Sequence, residues 1–393
     1  MGYQVSSWFV DQLRLPASRP KRRLMIGDSD YSSRALKWPS WTRTAKDVIA
    51  SKATVELANA DGGLNGFHER IWTMANTCSF AVGFTHPTSG DEWLTLFSGD
   101  IKEVKYPNKT KCQVHVRDRL WGLTEKKVGT SDVPVQFSDL IPSEIAWTLV
   151  SCYGQLSDVR SISNPHIDFE AFNAWAGQFS ADNVLCSALY RGEKVSEALT
   201  GMTEYTDSAI WTDGDGRLRF IRYSEPSSLD FALAGPEIMD LVIKVDGKAL
   251  VNKAWCYADY KPESNYWAIN VWAAETTAIN TFGLHEQIWK DEKIWYTNSV
   301  SALVLATRKA RVMKYPPRRF ELDTVPIGLH RQLGEMLRFT DSFYHIASGT
   351  AWRFDEIEID MNDFGVKYTL DEAIAGNGFY LDVDYLDGDK LLL

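Results

Sequence analysis

The sequence predicts an α+β protein, and three observations carry that expectation. Apolar and polar residues alternate over 45–120 and again over 318–372, the period of half-buried strands. Between these stretches, over 131–205 and again after 299, apolar residues recur at the spacing of one helix face. The 393 residues, at about 150 per domain, leave room for two or three cores.

The elements follow in order. Val48, Ala53, Val55 and Leu57 precede the turn residues Ala60-Asp61-Gly62-Gly63. Leu94, Leu96, Ile101, Val104, Val114 and Val116 continue the alternation, with Gly99-Asp100 and Pro107-Asn108 read as hairpin turns closing a small barrel or sandwich. Pro142 suits the first position of a helix that carries Ile145, Leu149, Val150 and Tyr153 on one face and stops at Gly154. Asp168 is an N-cap for a second helix, with Phe169, Phe172 and Ala176 inward and Gly177 as its stop. A third runs from Lys194 with Val195, Ala198, Leu199 and Met202 inward.

Asp213-Gly214-Asp215-Gly216 then separates Ile210 and Trp211 from Leu218 and Phe220, a tight hairpin flanked by Arg217, Arg219 and Arg222. Two aromatic-rich strands surround residues 261–265, and a helix from Ser299 places Leu303, Val304, Thr307 and Ala310 on one side before Pro316-Pro317 ends it. Strands return at Phe320–Leu322, Met336–Phe339, Phe354–Ile359 and Val366–Leu370, the last two joined across Asn362-Asp363. Gly376-Asn377-Gly378 and LDVDYLDGD read as a flexible turn and an acidic tail that orders against a partner.

Charge narrows the function. With 52 acidic against 42 basic residues the chain carries −10, so a phosphate backbone repels it as a whole and sequence-independent nucleic-acid binding is disfavoured. The distribution is polar along the chain. Nine Lys/Arg and only Asp28 and Asp30 lie between Arg14 and Lys46, whereas residues 354–393 hold eleven Asp/Glu against Lys367 and Lys390. That polarity fits either two solvated faces or docking between neighbours in an assembly. No apolar run approaches the roughly 18 residues of a membrane span, and MGYQVSSWFVDQL has neither the basic nor the apolar part of a secretory signal. Gly2 with Ser6 matches the short N-myristoylation pattern, which chance produces often.

Candidate chemical groups are sparse. Cys78, Cys112, Cys152, Cys186 and Cys256 stand at least 34 residues apart, a spacing that implies neither a zinc site nor a disulfide scaffold. IGDSDYSSR contains the Gly-Asp-Ser of a lipase and esterase superfamily, but none of the seven histidines has the required Asp three residues before it, so Ser29 lacks a base and the segment reads as a turn. Asp213-Gly214-Asp215-Gly216 begins like a calcium loop, yet Arg217 holds a ligand position and Glu225 falls one residue late. Fifteen tryptophans, scattered from Trp8 to Trp352, suit core and subunit-interface anchors or a sugar-binding groove. There is no phosphate loop and no dinucleotide fingerprint.

The order of motifs says more than any one of them. IGDSDYSSRALKWPS is followed by WLTLFSGDIKEVKY and VHVRDRLWGL, then by LYRGEKVSEALTGMTEYTDSAIWTDGDGRLRF, INTFGLHEQIW, LGEMLRFTD and FDEIEIDMNDFGVKYTL. In this order, over most of residues 25–372, the chain resembles the baseplate or tail-tip hub proteins of tailed bacteriophages and related contractile machines. The resemblance implies two tube-like antiparallel β-barrel domains with helical inserted segments. Residues 1–44 would be a basic N-terminal arm, 45–130 the first barrel, 131–205 a helical insert, 206–372 the second barrel with inserted strands and helix (224–317), and 373–393 an acidic C-terminal tail.

It further implies a homotrimer, a ring of quasi-six-fold symmetry that adapts the hexameric tail tube to a three-fold spike or tip and leaves a central channel. The expected partners are the tail tube or distal tail protein, the central spike or tip protein and the tape-measure protein, in a virion assembled in the host cytoplasm. No catalytic, cofactor-binding or metal-binding residues are expected, nor an iron–sulfur cluster, sequence-specific nucleic-acid binding or stable membrane insertion. Two alternatives stand beside this reading: a distal tail adaptor or other tube-fold component forming hexamers, and a Trp-rich carbohydrate-binding or glycoside-cleaving protein.

Overall fold

A computed structural model describes residues 5–15, 19–45, 48–66, 77–222, 231–233, 237–245, 249–314, 318–324, 326–341, 346 and 351–373. It opens on α1 (Ser7–Arg14), where the Ser6 hydroxyl accepts from Phe9 N at 3.1 Å and Phe9 and Leu13 are buried.

The first sheet uses β1 (Lys21–Ile26), β2 (Ser29–Asp30), β3 (Ala35–Lys37), β5 (Lys52–Ala58), β6 (Thr77–His86), β7 (Gly90–Asn108) and β8 (Lys111–Arg117), while β4 (Ser40–Thr44) leaves for another sheet. Its hydrogen-bonded order is β2-β1-β6-β7-β8-β5-β3, every pair antiparallel. The edge strands β2 and β3 are separated in sequence only by residues 31–34, so the sheet must curl to bring its edges towards each other, in the manner of a half-barrel. Residues 21–44, expected as an arm, are thus built into sheets.

Gly99-Asp100 is not a turn. Both residues lie within β7, whose 19 residues run unbroken past them. A Cβ on Gly99 would stand 2.2 Å from the carbonyl oxygen of Arg117 on β8, so this glycine is required by close strand approach rather than by a bend. The real hairpin turn joins Asn108 to Lys111, with Asn108 Oδ1 accepting from Thr110 N at 2.9 Å.

Next come α2 (Leu120–Glu125), the short pair β9 (Lys127–Val128) with β12 (Glu193–Lys194), β10 (Val135–Leu140) and β11 (Cys186–Tyr190). Helix α3 (Pro142–Thr148) has Pro142 in its first turn and passes into a π-helical turn, Leu149–Tyr153, that ends at Gly154. Helix α4 (Phe169–Ala181) is capped by Asp168, which accepts from Ala171 N at 3.1 Å. It runs through Gly177, where a Cβ would meet open space, so the helix loses only some propensity there. Helix α5 (Val195–Thr206) buries Val195, Ala198, Leu199 and Met202 as their spacing predicts. The hairpin β13 (Ser208–Thr212) with β14 (Leu218–Arg222) forms a two-stranded sheet of its own instead of joining the strands of 318–372.

After β15 (Phe231–Ala232) and β16 (Ile238–Val245), strands β17 (Lys253–Lys261) and β18 (Tyr266–Ala274) form the predicted hairpin. Helix α6 (Thr276–Phe282) leads to β19 (Glu286–Trp289), which pairs parallel to β17, and β20 (Ile294–Tyr296) pairs with β11. Helix α7 (Ser299–Val312) is capped by Asn298 and buries Ser301, Ala302, Leu305, Ala306 and Ala310. The expected face was rotated: Leu303 is exposed, because small residues let α7 lie close on β17 and β18. Pro316-Pro317 and the acidic tail lie outside the described residues.

The second sheet takes β21 (Arg318–Thr324), β22 (Met336–Arg338), β23 (Ala351–Asp360) and β24 (Gly365–Ala373) in the order β15-β22-β23-β24-β21-β16. Strand β4 pairs antiparallel with β23, Ser40 opposite Asp360 and Thr44 opposite Glu356. The chain is therefore α+β, with barrel-type sheets that are antiparallel except where β15 runs parallel to β22, and helical segments between them. One apolar core is continuous through both seven-stranded sheets, and a second unites α2–α5, α7, β13, β14 and β17.

Candidate interaction surfaces

The residues singled out for chemistry sit in structural roles. Ser29 pairs with Ile26 across a turn at Gly27, whose φ of +55° suits glycine, and its hydroxyl bonds no histidine among the described residues. Asp213 is buried and spends its carboxylate on its own hairpin, accepting from Arg217 N at 2.9 Å. No group of three His, Cys, Asp or Glu that could hold a metal occurs among the described residues. All five cysteines are free; Cys152 is exposed, and burial raises the thiol pKa values of Cys78, Cys112, Cys186 and Cys256. No helix among the described residues is long and apolar enough to cross a membrane. Tryptophans 41, 147, 175, 211, 289, 295 and 352 are core residues.

Strand β4 holds the two sheets together. Its backbone belongs to the second sheet, yet Trp41 packs at 6.2 and 5.3 Å from the rings of Phe80 and Phe97 in the first. The buried Arg43 side chain donates to the carbonyl of Leu96 on β7. At one end of β4, Asn362 Nδ2 donates to Trp38 O at 3.0 Å; beyond the other, Ala45 N donates to Asp355 O at 2.8 Å. Nearby, Asp118 Oδ2 accepts from Ser51 N at 2.9 Å while its Oδ1 has no hydrogen-bond partner among the described residues, and burial pushes the carboxyl up to about 6.

Two surfaces stand out. On β17–β19 the inner residues Ala254, Cys256 and Ala258 are buried, and the opposite face carries Trp255, Tyr257, Trp272 and Ile288. Trp255 and Trp272 face each other across strands at 6.1 Å, with Lys253 Nζ 4.7 and 5.3 Å from the two rings and 2.5 Å from Glu286. Trp272 is 53% exposed and Ile288 53%, an aromatic platform open to a partner.

The other is a groove of about 960 Å³ over the outer faces of β5, β8 and β7. Val55, Val114 and Val116 point to the core, so Lys52, Thr54 and Glu56 on β5 and Gln113, His115 and Arg117 on β8 point out. Glu56 binds Lys111 at 2.6 Å and Glu103 binds Lys105 at 2.9 Å, while Lys102 lies 3.8 Å from Asp100 and 4.3 Å from the Trp121 ring. Lys52 and Arg117 stand directly opposite each other in register, and neither has an ion pair among the described residues. Burial and the charges of Lys105 and Arg117 lower the pKa of His115, despite Glu103. The run of basic residues up to Lys46 pointed to charge at this end of the chain, but the groove is made by strand pairing that sequence spacing does not disclose.

Among solved structures, the chain is similar to a tail protein from Neisseria meningitidis MC58, at 12% identity over 90% of this chain and 96% of that one, with a TM-score of 0.58. It is also similar to the 43 kDa tail protein of prophage MuSo2 from Shewanella oneidensis, at 10% identity over 90% and 98% of the chains and a TM-score of 0.53. A third match is prophage tail protein gp18 from Listeria monocytogenes EGD-e, at 8% identity over 95% and 99% and a TM-score of 0.53. No protein-family model matches, and no curated protein matches by sequence. At these identities what is shared is the fold, and it is shared over nearly the whole length of each chain.

Proposed function

We propose that the protein is a structural component of a phage tail or baseplate, a hub whose subunits form a homotrimeric ring between the hexameric tail tube and a three-fold spike or tip. The observation that carries this reading is the pair of barrel-type sheets fused through β4 into one core. Two such units per subunit give six in a trimer, the number needed to meet a hexameric tube. The partners are then the tail tube or distal tail protein on one side, the spike or tip on the other, and the tape-measure protein in the channel. The role is non-enzymatic. The β17–β19 platform supplies an apolar surface for subunit or partner contacts.

Light scattering with negative-stain imaging tests the assembly. A trimer has a mass of three times 44.5 kDa, about 133 kDa, with a central hole. Hexamers would instead favour the distal adaptor, and a monomer that binds neither tube nor spike proteins would sink both. The exposed Trp255–Trp272 pair is the observation behind a second reading, saccharide binding, which silence on a glycan array would remove.

A further inference from the structure

Lys52 and Arg117 are cross-strand neighbours of like charge on the outer face of the first sheet, and Asp100 of β7 stands in register on the other side of Arg117; like charges set opposite each other cost stability, and Lys52, farthest from that carboxylate in the row, is the one left without a facing anion. Lys37, also without an ion pair among the described residues, and Lys102 line the same groove. The groove thus presents cations in excess of its own carboxylates on a chain whose net charge is −10. The strongest complementary segment in the chain is its own: Asp382, Asp384, Asp387 and Asp389 fall within residues 374–393, with Lys390 as the sole cation.

We propose that this groove is the docking site of the acidic 374–393 segment, with its carboxylates lying between Lys52 and Arg117. Spacing favours the match. In LDVDY the aspartates alternate with apolar residues, so an extended chain projects Asp382 and Asp384 to one side about 6.6 Å apart, the same repeat as the outward residues of β5 and β8 beneath. Reach allows it as well. The groove's rim at Trp38 is tied to Asn362, and β24 carries the chain from Gly365 away from that turn to Ala373, about 30 Å at strand rise. Twenty further residues span up to about 66 Å when extended, enough to return to the same subunit or reach a neighbour. The inference is independent of the ring reading, since it concerns where an anionic segment binds and not how many copies assemble.

Zero-length carbodiimide cross-linking of the full-length protein, read by mass spectrometry, tests it. Links from Asp382–Asp389 to Lys37, Lys52 and Lys102 are expected at low ionic strength and should weaken at least tenfold at about 0.5 M salt. The double variant Lys52→Glu/Arg117→Glu should lose them at least tenfold, and adding Asp384→Lys/Asp387→Lys should restore attachment, now read as links between the introduced lysines and the introduced glutamates. Single Lys52→Glu turns the like-charge pair into an opposite one, so a melting temperature equal to or above wild type verifies the fold. Links scattered over distant lysines such as Lys261 and Lys290, or no links, would overturn the proposal. So would a fluorescent single-stranded DNA that binds the wild-type groove, fails to bind the double variant and is not displaced by the acidic segment.

Discussion

The first seven-stranded sheet is drawn wholly from residues 21–117, so that even its pairings between strands distant in order, β1 with β6 and β5 with β8, stay within that stretch, whereas the second collects β4, β15, β16 and β21–β24 from segments that span residues 40–373. The first curls on strands from its own stretch of chain. The second depends on a strand lent by the chain that has just left the first, and this loan makes the two sheets share one apolar core. Long-range pairing of this kind exacts loop-closure entropy before any contact rewards it, so β4 should be the element on which joint stability turns.

Trp41→Ala is therefore the largest break. It removes a nearly buried indole packed on Phe80 and Phe97 and weakens β4 within the second sheet, a loss of about 3–5 kcal/mol. Denaturant unfolding followed by tryptophan fluorescence and by far-UV circular dichroism should remain one coincident transition at a lower midpoint. Two separated transitions would show that the sheets fold independently and would end the argument from a shared core.

Glycine substitutions sharpen the contrast at a smaller scale. Gly99→Ala in the first sheet drives a Cβ into the backbone of Arg117, and Gly328→Ala beside the second drives one to 2.0 Å from the Tyr368 hydroxyl. Each should cost about 1–3 kcal/mol as overpacking. The second obstacle is a side-chain end, so Tyr368→Phe should recover part of the Gly328→Ala loss, while no side-chain change should rescue Gly99→Ala. Equal rescue at both sites, measured by urea midpoints, would contradict the assignment of Gly99 to close backbone approach.

What the sequence disclosed follows the same division. Helices α3, α4 and α5 were legible because Pro142, Asp168 and the Val195–Met202 spacing are local signals, and hairpins β13–β14, β17–β18 and β23–β24 were legible from turn residues. The pairing of β4 with β23 was not, because residues 40–44 carry no mark of a partner more than 300 positions away. Gly99 looked like a turn because glycine serves bends and close packing alike, and only the position of Arg117 separates them. The exposed Leu303 misled the reading of α7 because apolar spacing cannot tell a core face from a surface one when small residues such as Ala302 and Ala306 do the packing. The cationic groove stayed hidden for a further reason: Lys37, Lys52, Lys102 and Arg117 become neighbours only through strand register.

The smallest effect sets the two sheets against each other in acid. His330, in the turn that follows β21, is buried with Arg331 beside it, and its pKa is pushed down to about 3; between pH 6.5 and 3 the unfolded chain binds a proton that the folded chain refuses, so this group removes stability as pH falls. Asp118, at the end of β8, is buried at about 6 against an ordinary 3.8; between these values the folded chain holds a proton that the unfolded chain releases, so this group adds stability as pH falls. From pH 6.5 to 5 the linkage relation gives a loss of about 1–2 kcal/mol from His330 and an opposing gain of about 1 kcal/mol from Asp118. Urea midpoints at the two pH values should separate them. Asp118→Asn removes the gain and leaves stability falling on acidification by about 1 kcal/mol more than wild type, whereas His330→Asn removes the loss and shifts the pH dependence in the opposite direction by about 1–2 kcal/mol. If both variants shifted it the same way, the opposed burial of an acid in one sheet and a base beside the other could not be what sets the acid response of the shared core.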